Sequence, residues 1–321
     1  MPAPPEPRRG AAPEAPAEPA AGWWSPKPAD AGQPPPPPPT LQESALAARL
    51  ERLVALGRFS IPQVPPVVVD AMNLLARPDS AIKDIADVVA RDQRLAADML
   101  SFSNSSLFAG AAKATNLTQA LMRIGFRRAR GVVLSACLKG AVYSGVEIRR
   151  AERLWRHACC TAAAASRIAA NAGLDPDDLY VCGLFHDVGK IVVLSLVDDL
   201  AVRATPSPLS SATLEALIET HHERTGAEVA LQWSLPDDVV DVVQNHDADG
   251  GERLSAAQAA VAIADRCCRR LGAGAADFES DDGGPVAGED ALRALGADPE
   301  RPDAALEGVR EVVQEMIRRT S

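Results

Sequence analysis

The chain has 321 residues, 47% of them hydrophobic and only 4% aromatic, with a formal net charge of −10. This is enough apolar material for a sizeable core, and the Ala, Leu and Val dominance favours packed helices over a strand-rich sandwich. The acidic balance argues against general nucleic-acid binding, whose sequence-independent affinity comes from cations neutralising phosphates.

Residues 1–40 hold 15 of the 26 prolines, including Pro34 to Pro39, and read as a disordered, partly polyproline-II leader. Within it the pair Trp23-Trp24 suits docking on a partner, because paired aromatics in a polar tail bury well. The start, Met1 to Pro7, has no apolar core segment or cleavage site, and no later apolar run is expected to span a bilayer. A cytoplasmic protein is the expectation.

From Leu41 the apolar spacing becomes helical, with Leu46, Leu50, Leu53 and Val54 on one face and Gly57 as the stop. Helices are expected at Val67 to Leu75 behind Pro65-Pro66, at Ile82 to Ala90 capped by Asp79-Ser80, and at Leu95 to Phe102 behind Asp92. Two more, Leu117 to Ile124 and Ala129 to Tyr143, complete an N-terminal helical subdomain over 41–150. Arg123, Arg127, Arg128 and Arg130 are its most basic stretch and read as a solvated helix face.

A second unit, 151–272, opens with a helix from Ala151 to Ala170 that carries His157. Asp177 to Phe185 follows and runs into His186-Asp187-Val188-Gly189-Lys190 at a helix end. Further helices are expected at Ile191 to Leu200, Ser210 to His221, Thr225 to Trp233, Pro236 to Gln244 and Ala256 to Leu271, the last bearing Asp265. Residues 273–321 read as an acidic, Gly-rich loop and one closing helix, Ala304 to Met316. Six cysteines with no Cys-x-x-Cys are read as buried thiols rather than disulfides or a zinc knuckle.

Several motifs fail on spacing. Gly189-Lys190 is followed by Ile191 where a phosphate loop needs Ser or Thr, and Gly226 stands where a His222-Glu223 zinc-protease helix needs its second histidine. What remains is a set of nitrogen and oxygen donors suited to a divalent ion: His157, His186, Asp187, His222, His246 and Asp265.

In order and context this set resembles the HD superfamily of metal-dependent phosphohydrolases, whose signature is a His, a later His-Asp pair and a distant Asp. Arg91-Asp92-Gln93-Arg94-Leu95, Ala120-Leu121 to Ile124-Gly125, Trp155-Arg156-His157 and Gln232-Trp233-Ser234-Leu235-Pro236 are similar to HDOD domains, HD-related output modules of bacterial signalling proteins. The resemblance implies an all-α fold, an HD-type bundle behind an N-terminal helical subdomain. It also implies that His157, His186, Asp187 and Asp265 hold one metal and that His222 and His246 serve a second. Asn245 to Gly251 carries one histidine and no Gly-Tyr-Pro, so it departs from the cyclic-dinucleotide phosphodiesterases of the superfamily.

Three readings follow. The leading one is a regulatory module that binds a signalling partner or small nucleotide ligand, with the metal retained. The second is a phosphohydrolase in which the ion polarises phosphate and acidifies water, Asp187 positions the nucleophile and Lys190 neutralises phosphate charge. The third is a remnant whose histidines bond in the core without metal. Donor types leave Fe, Mn, Zn, Co and Ni all open.

Overall fold

A computed structural model describes residues 40–57, 59, 65–75, 77, 79–104, 113–133, 148–203, 209–246, 254–274 and 284–320. The Pro-rich leader, Trp23-Trp24, Cys137 and the acidic run Asp281-Asp282-Gly283 lie outside the described residues. Every described regular element is α-helical, in keeping with the all-α expectation.

The N-terminal helices are α1 (Leu41–Ala55), α2 (Pro66–Leu75), α3 (Ile82–Val89), α4 (Gln93–Ser103), α5 (Leu117–Ile124) and α6, helical over 126–133. Asp92 caps α4 by accepting from the amides of Arg94 and Leu95. Asp79-Ser80 does not cap α3: the N-cap is Ala81, with no side-chain bond, and one face of Ile85, Ala86, Val88 and Val89 holds this helix by burial. The basic stretch is answered from within the fold. Arg127 lies 2.5 Å from Asp175, and Arg128 lies 2.6 Å from Asp177, at the acidic start of a later helix.

That later half contains α7 (Ile148–Ala172), α8 (Pro176–Phe185), α9 (Val188–Arg203), α10 (Ser211–Gln232), α11 (Asp237–Asn245) and α12 (Ala256–Arg270). α7 packs on α8, α12 and the closing helix at Val309–Thr320, and α9 packs on α10. Small side chains set the close approach: Ala162 to Ala165 are fully buried, and a Cβ on Gly183 of α8 would stand 2.8 Å from Ala162 Cα. The stretch Pro176–Val197 is long and apolar enough to cross a membrane, but 89% of its most apolar 18-residue window is buried inside the fold, where it forms part of the core. The five described cysteines are all buried, as expected from their helical positions.

Three differences in the number of helices stand out. α10 runs unbroken through His222 and Gly226, where two helices were expected. Gly226 is retained in the helix because it faces Gly189, whose nitrogen a Cβ on Gly226 would approach to 3.2 Å. The closing segment is two helices, α14 (Pro302–Leu306) and α15 (Val309–Thr320), parted by Gly308 at φ +72°. An unanticipated short helix, α13 (Glu289–Ala294), precedes them, its Ala291 and Leu292 buried.

One carboxylate ties the start of α1 to the site-bearing half. The Thr40 amide donates to Glu43 Oε2 at 2.7 Å, and the Ser210 amide, at the N-terminus of α10, donates to Glu43 Oε1 at 2.8 Å. These bonds, Thr40 first and Ser210 second, hold the Glu43 carboxyl at about 2 instead of 4.5. A depressed carboxylate stabilises the fold above its unfolded value and loses that contribution as pH falls through its folded one. Glu43→Gln is therefore expected to flatten the acid limb of a thermal-stability profile between about pH 4.5 and pH 2, measured beside the unaltered protein.

Candidate metal centre

Six donors from five helices or helix ends meet at one place. α7 contributes His157, the α8–α9 junction His186 and Asp187, α10 His222, the C-cap of α11 His246, and α12 Asp265. All are buried, none more than 5% exposed.

Asp187 is the centre. Its Oδ2 lies 3.4 Å from His157 Nε2 and 3.3 Å from His186 Nε2, while Oδ1 lies 3.2 Å from His246 Nε2 and 3.9 Å from His222 Nε2. Asp265 Oδ1 is 3.2 Å from His157 Nε2 on the other side. Two triads, His157–His186–Asp265 and His186–Asp187–His246, each bring their ligand atoms within 4.8 Å of one another.

The orientation of the rings is as informative as their proximity. His157 Nδ1 is 2.8 Å from the Ala273 carbonyl, His186 Nδ1 is 2.8 Å from the Gly183 carbonyl, and His222 Nδ1 is 3.0 Å from the Ile218 carbonyl. A carbonyl only accepts, so each Nδ1 carries the proton and donates it, which leaves Nε2 as a lone pair aimed at the centre. Yet His157 Nε2 and His186 Nε2 stand only 3.1 Å apart. Two lone pairs at that separation repel unless a proton or cation is shared between them. Both oxygens of Asp187 are also buried without accepting a hydrogen bond of good geometry. Imidazole nitrogen and carboxylate oxygen directed inward, with the outer ring nitrogens tied to backbone carbonyls, fit a borderline divalent ion.

Charge around the centre follows the same pattern. Burial pushes the Asp187 carboxyl up, but its neighbours His186, the Lys190 ammonium and His157 outweigh it and hold it well below the ordinary carboxylate range. Burial pushes the His186 imidazole down, to about 4. At neutral pH this ring is a neutral ligand beside an ionised one. Lys190 is itself buried, with Nζ 3.1 Å from Asp187 Oδ2 and 3.7 Å from Glu219.

The backbone explains the Val188-Gly189-Lys190 sequence. A Cβ on Gly189 would stand 1.8 Å from the His222 carbonyl oxygen and 2.6 Å from the Gly226 nitrogen, so this glycine serves the α9–α10 crossing rather than a phosphate. Two neighbours escaped the sequence reading. Arg269 is in contact with Asp265 Oδ2, and Glu219 flanks Lys190. The Asp265–Arg269 spacing of i, i+4 on a helix was the available signal for the first.

An all-helical protein built around a buried imidazole–carboxylate cluster is the class that this fold and site define. The HDOD domain pattern matches residues 61–248, and the chain belongs to the HDOD domain family. Asp265 lies beyond the matched segment.

An uncharacterized protein of Treponema pallidum (strain Nichols) is 26% identical over 193 residues, 58% of this chain and 37% of that protein, so the chain spans well under half of that relative's length. Among solved structures, a candidate metal-dependent phosphohydrolase of Shewanella amazonensis SB2B aligns with a TM-score of 0.64 at 22% identity, covering 86% of this chain and 100% of its own. An HDOD domain protein of unknown function from Geobacter sulfurreducens gives 0.58 at 27% identity, covering 86% and 99%. A candidate signal transduction protein of Marinobacter aquaeolei VT8 gives 0.52 at 22% identity, covering 87% and 62%. The likenesses at 22% identity speak for the fold alone.

Proposed function

We propose that the chain is a regulatory output module of bacterial signalling that works by binding a protein partner or small nucleotide ligand, with a divalent ion as an integral part of the bundle. The ion's ligands are His157, His186, Asp187 and Asp265, and His222 and His246 face the second oxygen of Asp187. The observation that carries this reading is closure. His157, His186, Asp187, His222, His246 and Asp265 are all buried, and the ammonium of Lys190 is held against Asp187. Structural metal sites are closed by protein ligands, whereas catalytic ones keep a position open to water and substrate.

In such a module the bound ion supplies cross-linking and charge neutralisation. The residues supply the rest: the Nδ1 bonds orient the rings, and Lys190 offsets the charge of Asp187. A ligand acts on the module only through a difference in affinity between two arrangements of its helices.

A phosphohydrolase is the second reading, favoured by the complete donor set and by Lys190 as a cation beside the centre. Metal-analysed protein assayed with cyclic dinucleotides, other nucleotides and a generic phosphodiester separates the two. The proposal expects metal-loaded protein without turnover, together with calorimetric binding of a cyclic dinucleotide or capture of a defined partner. Metal-dependent turnover that disappears in Asp187→Ala and persists in a surface variant would establish the enzyme instead.

A further inference from the structure

Away from the metal centre, a cavity of about 200 Å³ opens where the N-terminal helices meet α8 and α11. Its apolar lining comes from Met72, Val181, Leu235 and Val239, and Arg130 and Asp238 stand with it. A cavity of about 150 Å³ lined by aliphatic side chains accepts benzene, so this one has the capacity for the larger indole ring. The chemistry suits indole as well. A guanidinium stacks on its face, and its N–H, a donor only, finds an acceptor in a carboxylate. The neighbourhood is acidic: burial, then the charge of Asp175, pushes the Asp178 carboxyl up, although Arg127 lies 3.4 Å away. Apolar surface continues on the same elements, with Val69 on α2 44% exposed and Phe126 on α6 41% exposed.

We infer that this cavity is the docking site of the chain's own leader, receiving an indole of Trp23-Trp24, with Lys27 answering the surrounding carboxylates. The tether permits it. The chain leaves the described structure at Thr40, and the 16 residues from Trp24 to Thr40 include the run Pro34 to Pro39. At about 3.1 Å per residue, a polyproline-like tether of this length reaches roughly 50 Å, against a radius of gyration of about 19 Å for a body of this size. Intramolecular docking also needs little intrinsic affinity, because a tethered segment is presented at an effective concentration on the order of millimolar. Docking there would join α2 and α6 to α8 and α11 through one side chain, an arrangement a partner could undo by competing for the same indole.

Full-length protein labelled with 5-fluorotryptophan carries fluorine at Trp23, Trp24, Trp155 and Trp233, and its fluorine spectrum tests the inference. At least one leader resonance is expected to have the linewidth of the folded body. It should collapse to a narrow random-coil line in Val181→Phe, which fills the cavity, while the Trp155 resonance stays in place. Should Val181→Phe displace Trp155 too, Met72→Phe is the second filling variant. In Trp23→Ala/Trp24→Ala, amide exchange over residues 126–133 and 235–239 is expected to quicken relative to the native chain. Narrow leader lines in the native protein, broad lines that neither filling variant changes, or unaltered exchange in the double variant would each overturn the inference. A leader line that narrows on dilution would assign the cavity to a second copy and overturn docking within one chain.

Discussion

Gly189→Ala is expected to cost more stability than alanine at any other described glycine. The added Cβ would lie 1.8 Å from the His222 carbonyl oxygen and 2.6 Å from the Gly226 nitrogen. Neither is the far end of a flexible side chain, so α9 and α10 must separate. Overpacking a tight core costs about 1–3 kcal/mol and sometimes more, and a clash with backbone on both sides belongs at or above about 3 kcal/mol. For a domain of this size that is a fall in Tm of roughly 6–12 °C, readable by calorimetry. The same separation moves His222 relative to Asp187, so metal retention should fall with stability. Gly226→Ala is the internal comparison. Its Cβ would meet Val243 Cγ1 at 2.7 Å, a side-chain atom, and the nearest backbone atom, Gly189 N, only at 3.2 Å, so it should be milder. Equal tolerance of both substitutions would show that the α9–α10 crossing is looser than described.

Asp187→Ala is expected to act twice. Lys190 Nζ is 3.1 Å from Asp187, and both side chains are buried, at 6% and 5% exposure. Removing Asp187 leaves the buried ammonium facing the more exposed Glu219, 3.7 Å away, and breaking a buried pair typically costs about 3–5 kcal/mol. The carboxylate is also the one group that meets imidazoles on both of its oxygens, so its loss should abolish metal retention. The two effects separate in a double variant. Asp187→Ala/Lys190→Met should recover much of the urea-unfolding stability while remaining free of metal. If the single variant kept the native metal content, Asp187 would not be a ligand. If the double variant were no more stable than the single, the Lys190 charge would not be the source of the loss.

The sequence made the helical architecture readable wherever a helix has one apolar face and a plain stop. Leu117–Ile124 agrees to the residue, since Asn116 caps it and Gly125, at φ +81°, ends it. It misled where local signals had tertiary causes. Gly226 looks like a break in isolation and is tolerated only because Gly189 lies opposite; Gly308 stands inside an apparently continuous pattern and ends a helix. Asp79-Ser80 has cap-like chemistry, yet the chain places Ala81 at the cap.

Much the same holds at the site. Residue types and their order single out His157, His186-Asp187, His222, His246 and Asp265, and the structure brings all six together. Ring orientation was not legible, because it depends on the carbonyls of Gly183, Ile218 and Ala273, which carry no side-chain signature. Nor was the burial of Lys190 against Asp187, because a lysine near a candidate phosphate site reads naturally as a substrate contact. The basic run Arg123 to Arg130 read as a solvated face, which holds for Arg127, 62% exposed beside Asp175, whereas Arg128 is 16% exposed and pairs with Asp177 across the fold.

Two imidazole lone pairs 3.1 Å apart, with both outer nitrogens donating to carbonyls, make the cation the central claim. Its most direct test is elemental analysis of the purified protein beside a His186→Ala/Asp187→Ala variant, each checked for helical content. Stoichiometric divalent metal in the native chain and its loss from a folded variant is the predicted result. Native protein that stays metal-free after equilibration with Fe, Mn, Zn, Co and Ni, yet remains fully folded, would contradict it.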